Sequence, residues 1–394
     1  MASATIARRG EPAAEPRRAG ASARAPAPRP RVCFVAPHAW PVLSADPGIP
    51  EIGGAEVQQC VLARLLAADG FRVSMICLDY GQREPSLIDG ITVYRAYRLR
   101  AGVPVLRFLH PRLTALWSAL GRAGADVYYS RSAGMLAGVV AEFCRRRGRR
   151  SIYAAASDAD FLPGGGDQIR YARDRWLYRR GVVLADCVVA QNELQRERCR
   201  ALYGREALVI PSCYTLPDER AASRPGDTVL WVGVMRAGKR PEIFLELARR
   251  LPQRRFVMVG GPAQNEAALY ERVRAQAAAL DNLEFVGFLP LGEVEARFDA
   301  ARLLVNTSDT EGLPNTFLQA WARGVPTLAT VAAENPAHRF FPDADAGARE
   351  IEALFARPEL WQRASALSRE HFERNHSGAE TLARYARLLE ELAA

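Results

Sequence analysis

The sequence predicts an α/β protein built from two doubly wound parallel sheets that face each other across a cleft. Three observations carry this expectation. The chain has 394 residues, more than the ~250–300 at which a single hydrophobic core stops growing, so two domains are the starting point. From residue 31 onward, short apolar and β-branched runs alternate with longer helical patterns, as parallel strands covered on both faces require. A Pro-, Ser- and charge-rich stretch at 211–227 interrupts the alternation, which then restarts.

Residues 1–30 are rich in Ala, Pro and Arg, show no apolar periodicity and are expected to be disordered. Their prolines oppose the amphipathic helix of a transit peptide, and a secretory apolar run is missing. In the first domain, 31–210, strands are expected at 32–36, 72–78, 91–95, 126–130, 151–155, 186–190 and 207–210. Helices are expected there at 55–68, 133–147, 168–184 and 193–203. In the second domain, 228–375, strands at 228–232, 255–259, 283–286, 303–306 and 326–330 alternate with helices at 241–250, 264–279, 291–300 and 315–322. Helical patterns at 358–375 and 379–392 close the chain, the last within a segment, 376–394, expected to pack back on the first domain. Doubly wound sheets bind ligands outside the carboxyl ends of their strands, which places the site in the cleft.

The formal charge of +9 invites a nucleic-acid reading, but it divides unevenly: +5 in residues 1–31, +7 in 32–217 and −3 in 218–394. Without a recognised binding motif, nucleic acid is not expected as a partner. Arg145-Arg146-Arg147-Gly148-Arg149-Arg150 concentrates five arginines at a helix end; it reads either as a solvated helix terminus or as a patch for an anionic membrane surface. The seven cysteines are scattered and the five histidines spread out, so neither disulfides nor a metal site is expected. The thiols read as small buried apolar groups of a cytoplasmic protein, with the membrane's inner face as its one other station.

Of the 53 basic residues, 52 are arginine and one, Lys239, is lysine. Lys239 follows the strand–turn string Trp231-Val232-Gly233-Val234-Met235-Arg236 and precedes Pro241 at a helix start. Helix N-termini carry unpaired N–H groups and partial positive charge, and a compact ammonium there suits a phosphate pair in a way that a planar guanidinium does not. A second string, Asn306 to Thr327, sets a polar loop after a strand and leads through Glu311-Gly312-Leu313-Pro314-Asn315 into a helix that bears Gln319. Glu311 is placed there to grip sugar hydroxyls. The pair Gly53-Gly54 allows close backbone approach to a phosphate from the first domain, and His38 lies in the same loop.

With these motifs assembled, the chain resembles the retaining glycosyltransferases of the GT-B fold. The likeness rests on Gly53-Gly54-Ala55-Glu56, Val232-Gly233 to Lys239, Val259-Gly260-Gly261-Pro262, Val286-Gly287-Phe288, and Glu311-Gly312-Leu313-Pro314 to Gln319 with Gly324-Val325-Pro326. It implies two Rossmann-like domains and transfer of a sugar from a nucleotide diphosphate to a hydroxyl of a glycan or lipid-linked acceptor, with retained configuration. Lys239 would hold the diphosphate, Glu311 the donor sugar and Gln319 the ribose, with Gly54, Gly233, Arg236, Gly261, Phe288, Gly312, Leu313, Pro314 and Asn315 completing the donor site. Base contacts fall to Gly261 and Phe288.

The chain departs from that pattern at several points. Gln319 stands where the Glu-x7-Glu pattern has its second glutamate, and Val234 where a basic residue is frequent, with Arg236 the nearest substitute. In place of the acceptor-side histidine stands Ala155-Ala156-Ser157-Asp158-Ala159-Asp160, so Asp158 or Asp160 is expected to take its catalytic or acceptor-side role, beside His38. The stretch 330–350 lacks the glycine-rich strand, which predicts a second sheet one strand short. Lysine and helix dipoles suffice to neutralise a departing diphosphate, so a metal-independent reaction without cofactor is expected. Two alternatives stand beside transfer: a degenerate, non-catalytic nucleotide-sugar binder, and a nucleotide-sugar epimerase of the same fold.

Overall fold

The computed structural model describes residues 29–45, 53–103, 106–163, 165, 169–216, 226–263 and 265–394. The expected disorder of residues 1–28 and most of the linker therefore lies outside the described residues. The described chain forms two parallel-sheet α/β domains, as the alternation of strand and helix patterns requires.

The first sheet comprises β1 (Arg31–Val35), β2 (Arg72–Cys77), β3 (Ser86–Ile88), β4 (Ile91–Arg95), β5 (Val127–Arg131), β6 (Arg150–Ala154), β7 (Cys187–Ala190) and β8 (Leu208–Val209). Its order is β3-β4-β2-β1-β5-β6-β7-β8, parallel except for the β3–β4 pair. Around it lie α1 (Trp40–Ser44), α2 (Gly54–Ala68), α3 (Thr114–Ala123), α4 (Met135–Arg147), α5 (Ala172–Leu184) and α6 (Glu193–Tyr203). Central strands are buried along nearly their whole length, which explains why they read as continuous apolar runs. The order reverses between β1 and β5, so the switch point of this sheet opens at the ends of those two strands.

The second sheet comprises β9 (Thr228–Val232), β10 (Arg255–Val259), β11 (Leu283–Gly287), β12 (Ala301–Asn306), β13 (Thr327–Ala329) and β14 (Arg339–Phe340), in the order β11-β10-β9-β12-β13-β14, all parallel. Its helices are α7 (Pro241–Arg250), α8 (Ala267–Ala277), α9 (Leu291–Asp299), α10 (Asn315–Ala322), α11 (Ala344–Ala356) and α12 (Pro358–Asn375). Here the reversal falls between β9 and β12. The final helix, α13 (Gly378–Ala393), leaves this domain and inserts Tyr385, Leu388 and Leu389 into the first domain's core, Tyr385 packing edge-on against Tyr129.

The region after β13 corrects one expectation. The second sheet is not cut short at β13: β14 adds an edge strand, with Leu328 opposite Arg339, and α11 follows it. A two-residue strand leaves no alternation to read. The start of α11 was nevertheless encoded, since the Asp343 carboxylate caps the helix by accepting from the Ala346 N–H at 2.8 Å.

The arginine run also changes character. Glu142, one turn back on α4, accepts from Arg145 at 2.8 Å, Arg146 at 2.7 Å and Arg180 of α5 at 3.0 Å. Arg149 pairs with Asp126 and Arg150 with Asp186, each at 3.0 Å. Four of the five arginines thus have carboxylate partners, and the run joins α4, α5 and the strand starts rather than forming an open cationic patch. Arg145 and Arg146, followed by Arg180, hold the Glu142 carboxyl down from 4.5 to about 2.

Glu142→Gln is expected to lower the melting temperature at neutral pH. Because the folded-state value lies below the ordinary one, this contribution is complete above pH 4.5 and disappears as pH falls toward about 2. Thermal melts of both proteins should converge at the acid end; a gap independent of pH would contradict the assignment.

Candidate functional site

Both switch points open onto one cavity of about 670 Å³ between the domains. From the second domain it is lined by Gly233, Arg236, Lys239, Gly261, Phe288, Glu311, Gly312, Leu313, Pro314, Asn315 and Gln319, and from the first by His38, Gly54, Gln58, Arg131, Ser157 and Gln191. Every donor-side residue expected from the sequence therefore lies on this surface, together with His38.

Lys239 sits in a single tight turn, Ala237–Lys239, between β9 and α7, rather than in the helix itself. Arg240 adopts a left-handed conformation (φ 44°) that swings the chain into α7, whose first residue is Pro241. The Lys239 carbonyl accepts from Thr307 Oγ1 at 2.6 Å, and Trp231 Nε1 donates to that same hydroxyl at 3.0 Å. The Asp309 N–H donates to the Gly238 carbonyl at 2.9 Å. The loops after β9 and β12, neighbours across the switch point, are stitched together by these bonds.

This stitching brings Lys239 Nζ into an ion pair with Glu311. The pair is mostly shielded, with side-chain exposures of 18% and 12%. Ser308 Oγ donates to the same carboxylate oxygen at 2.6 Å and Asn306 Nδ2 at 3.3 Å. Burial pushes the Glu311 carboxyl up, but Lys239, Ser308 and Asn306 outweigh it and hold it below its ordinary range. The arrangement is a desolvated cation with a carboxylate counterion, at the place where a doubly wound sheet binds its ligand.

Glycine sets the approach at two points. Gly260 has φ 156°, and a Cβ there would stand 1.8 Å from the Gly233 carbonyl oxygen, so only glycine lets the β10 turn lie against the β9 turn. Across the cleft, a Cβ on Gly312 would lie 3.2 Å from Cα of Ser157, so the two domains meet here backbone to backbone. Asn315 spans the same gap: its Nδ2 donates to the Gly54 carbonyl at 2.8 Å, and its Oδ1 accepts from Gln58 Nε2 at 2.9 Å.

Gln319 lies on α10 with its amide nitrogen donating to Glu295 Oε1 of α9 at 3.0 Å. Tyr214 and Arg323 occupy the other carboxylate oxygen, at 2.7 and 2.5 Å, and Arg323 also pairs with Asp299 at 2.7 Å. A carboxylate accepts only, so the nitrogen of Gln319 is fixed toward Glu295 and its oxygen is left for the cleft. The departure from glutamate at this position has a local cause: a second carboxylate would face Glu295, with Arg323 left to balance three acids.

Asp158 and Asp160 lie in the hydrogen-bonded loop that carries Ala156 and Ser157. Asp160 is buried; its oxygens accept from the Ala156 N–H at 2.8 Å, Ser157 Oγ at 3.0 Å and Tyr153 Oη at 3.1 Å, and burial raises its pKa. Asp158 accepts from Gln195 Nε2 at 2.7 Å and Asn192 Nδ2 at 3.3 Å, tying the loop to the start of α6. Both carboxylates brace the loop that presents Ala156 and Ser157 to the cleft, and neither lines it. Sequence reasoning also passed over Arg131, Gln191, Gln58 and Glu295. For Arg131 a signal existed: it stands one residue past the expected strand 126–130, at a carboxyl end.

Among the described residues, no cluster of three or more His, Cys, Asp or Glu side chains is placed to hold a metal ion, and no helix is long and apolar enough to cross a membrane.

Two doubly wound domains with a shared cleft and a lysine–glutamate pair at the second switch point define a GT-B architecture. The pattern described as Glycosyl transferase 4-like domain matches residues 53–213, and that described as Glycosyl transferases group 1 matches residues 226–357, one on each domain. Each domain is thus similar to a glycosyltransferase domain, and the fold is of GT-B type. Among curated relatives it is 27% identical to a D-inositol 3-phosphate glycosyltransferase of Acidothermus cellulolyticus, over 79% of this chain and 78% of that one. It is 29% identical to one from Mycobacterium sp. (strain KMS), where the match spans 39% of this chain and only 38% of the relative. Among solved structures it is similar to sucrose-phosphate synthase from Thermosynechococcus elongatus (TM-score 0.72, 20% identity, 92% of this chain and 99% of that one). It is also similar to Anabaena Alr3699/HepE in complex with UDP and glucose (TM-score 0.68, 16% identity, 92% and 100%).

If the amide at 319 is set by Glu295, Gln319→Glu is expected to weaken nucleotide binding, and the exchange Glu295→Gln with Gln319→Glu to recover part of the loss. Calorimetric titration of the single and double variants checks this; additive losses would contradict it.

Proposed function

We propose that the protein transfers a sugar from a nucleoside diphosphate sugar to a hydroxyl acceptor with retention of anomeric configuration. The observation that supports this most is the shielded Lys239–Glu311 pair at the β9/β12 switch point. In this reading Lys239 exchanges Glu311 for the donor diphosphate, which frees the carboxylate for the sugar hydroxyls. The glycosidic bond to the β-phosphate oxygen breaks, C1 bonds to the acceptor oxygen, and the acceptor proton leaves with the diphosphate. Lys239, with Arg236 on the same wall and the Gly54 backbone opposite, stabilises the charge that develops on the leaving group. Gly312 to Asn315 position the sugar, Gln319 accepts from a ribose hydroxyl, and Gly261 and Phe288 flank the base.

The lysine supplies the charge that a metal would otherwise bring, so the reaction is read as metal-independent. The curated relatives make a phosphorylated inositol the first acceptor to try beside glycans and lipid-linked sugars. Six buried free thiols, with Cys187 half-buried, favour a reducing compartment such as the cytoplasm.

Lys239→Ala is expected to weaken binding of the preferred nucleoside diphosphate, among UDP, GDP and ADP, about 10- to 100-fold, the worth of one charge-assisted contact. Unchanged affinity would refute the donor assignment. Turnover in the presence of chelator is expected to match turnover without it; complete loss restored by manganese would overturn metal independence. Release of nucleotide only when acceptor is present distinguishes transfer from epimerisation and from simple binding.

A further inference from the structure

The first-domain wall of the cleft carries a cation, Arg131, that the donor reading does not use. We propose that Arg131, with Gln191 and Ser212, forms a subsite for a phosphate-class oxyanion; the proposal rests on the cleft being the nucleotide-sugar site.

Arg131 is the last residue of β5, beside β1 at the reversal of the first sheet, as Lys239 follows β9 at the reversal of the second. Each domain therefore sets a cation at its own switch point on the wall of the shared cavity. The guanidinium is held by neutral hydroxyls: Nη1 donates to Tyr129 Oη at 3.2 Å and Nη2 to Ser212 Oγ at 3.0 Å, while Nε is buried without a hydrogen-bond partner. Among the described residues no carboxylate forms an ion pair with it. Asp160 acts on it through space only, its own oxygens being taken by Tyr153, Ser157 and the Ala156 N–H.

The contrast with Arg145, Arg146, Arg149 and Arg150, all paired though more exposed, is the reverse of what solvation alone would produce. A shielded cation without a counterion is unfavourable, and such arrangements are retained where a ligand supplies the missing charge. Gln191 adds a second observation. It is 6% exposed, its Nε2 donates to the Ala155 carbonyl at 2.9 Å, and its Oε1 is buried without a donor. An anion meeting Arg131, next to a hydroxyl meeting Gln191, would satisfy both groups. The same oxyanion chemistry has two sources here: the donor's diphosphate, where Arg131 would take the place of the basic residue that Val234 lacks, or an anionic group on the acceptor.

The test uses the full chain and three variants, Arg131→Gln, Arg131→Lys and Lys239→Ala. Affinity for the best-bound nucleoside diphosphate is titrated first. Inorganic phosphate is then added to the diphosphate-saturated protein while thermal stability is followed, since ligand binding raises the melting temperature. If the anion is the donor's, Arg131→Gln loses about 10- to 100-fold in diphosphate affinity and Arg131→Lys recovers part of it. If it is the acceptor's, diphosphate affinity is unchanged, and phosphate stabilises the saturated wild-type protein but not the saturated Arg131→Gln variant. Arg131→Gln matching wild type in both measurements overturns the proposal. Loss of diphosphate affinity in Lys239→Ala alongside that result would leave the donor reading standing, whereas no effect in Lys239→Ala would sink the donor reading by itself. Melting of each apo variant shows that a loss of binding is not a loss of fold.

Discussion

The ion pair between Lys239 and Glu311 is the interaction on which the cleft depends. Two loops, after β9 and β12, meet there, and their backbones are locked by the Trp231–Thr307–Lys239 chain and the Asp309–Gly238 bond. In so shielded a place neither charge is tolerable alone, because breaking a buried pair leaves an uncompensated ion at a cost of about 3–5 kcal/mol. Each therefore holds the other until a ligand brings a replacement. In the proposed reaction a diphosphate replaces Glu311 as the counterion of Lys239, and sugar hydroxyls replace Lys239 as donors to Glu311. The resting pair holds both side chains oriented in the cleft, the preorganisation that the proposed electrostatic role requires.

The opposing wall is positioned as closely. Gly312 meets the Ser157 backbone, and Asn315 joins Gly54 to Gln58, whose side chain is anchored to the Cys213 backbone by bonds of 2.8 and 3.1 Å. Helix α13 adds a further tie by completing the first domain's core from the far end of the chain. The carboxylates of Asp158 and Asp160 are hydrogen-bonded within this scaffold and shape the loop opposite Gly312. Arg131 is the exception on that wall, a cation supported by hydroxyls and left without a carboxylate.

Much of this was legible in the sequence because it is local. Runs such as 228–232 and 255–259 are buried on both faces and read as strands at once, and Pro241 at the start of α7 and the residue after each strand mark the loops that build a doubly wound site. Lys239 stood out because a chain that uses arginine at every other basic position uses lysine there. What escaped depends on partners distant in the chain. The arginine run looked open because Asp126 and Asp186 come from other elements of the fold and Glu142, on the same helix, also holds Arg180 of α5; Asp158 looked available because Asn192 and Gln195 are not its sequence neighbours. Gln319 looked like a degenerate glutamate until Glu295 was found beside it.

The single lysine also allows the central claim to be read directly. Protein labelled with 15N at lysine Nζ carries one such side-chain signal, that of Lys239. Titration with the preferred nucleoside diphosphate is expected to move it as the ammonium leaves Glu311 for the phosphates, whereas the corresponding nucleoside should leave it in place. A lysine signal unmoved by saturating diphosphate, with binding confirmed by calorimetry in the same sample, would contradict the account.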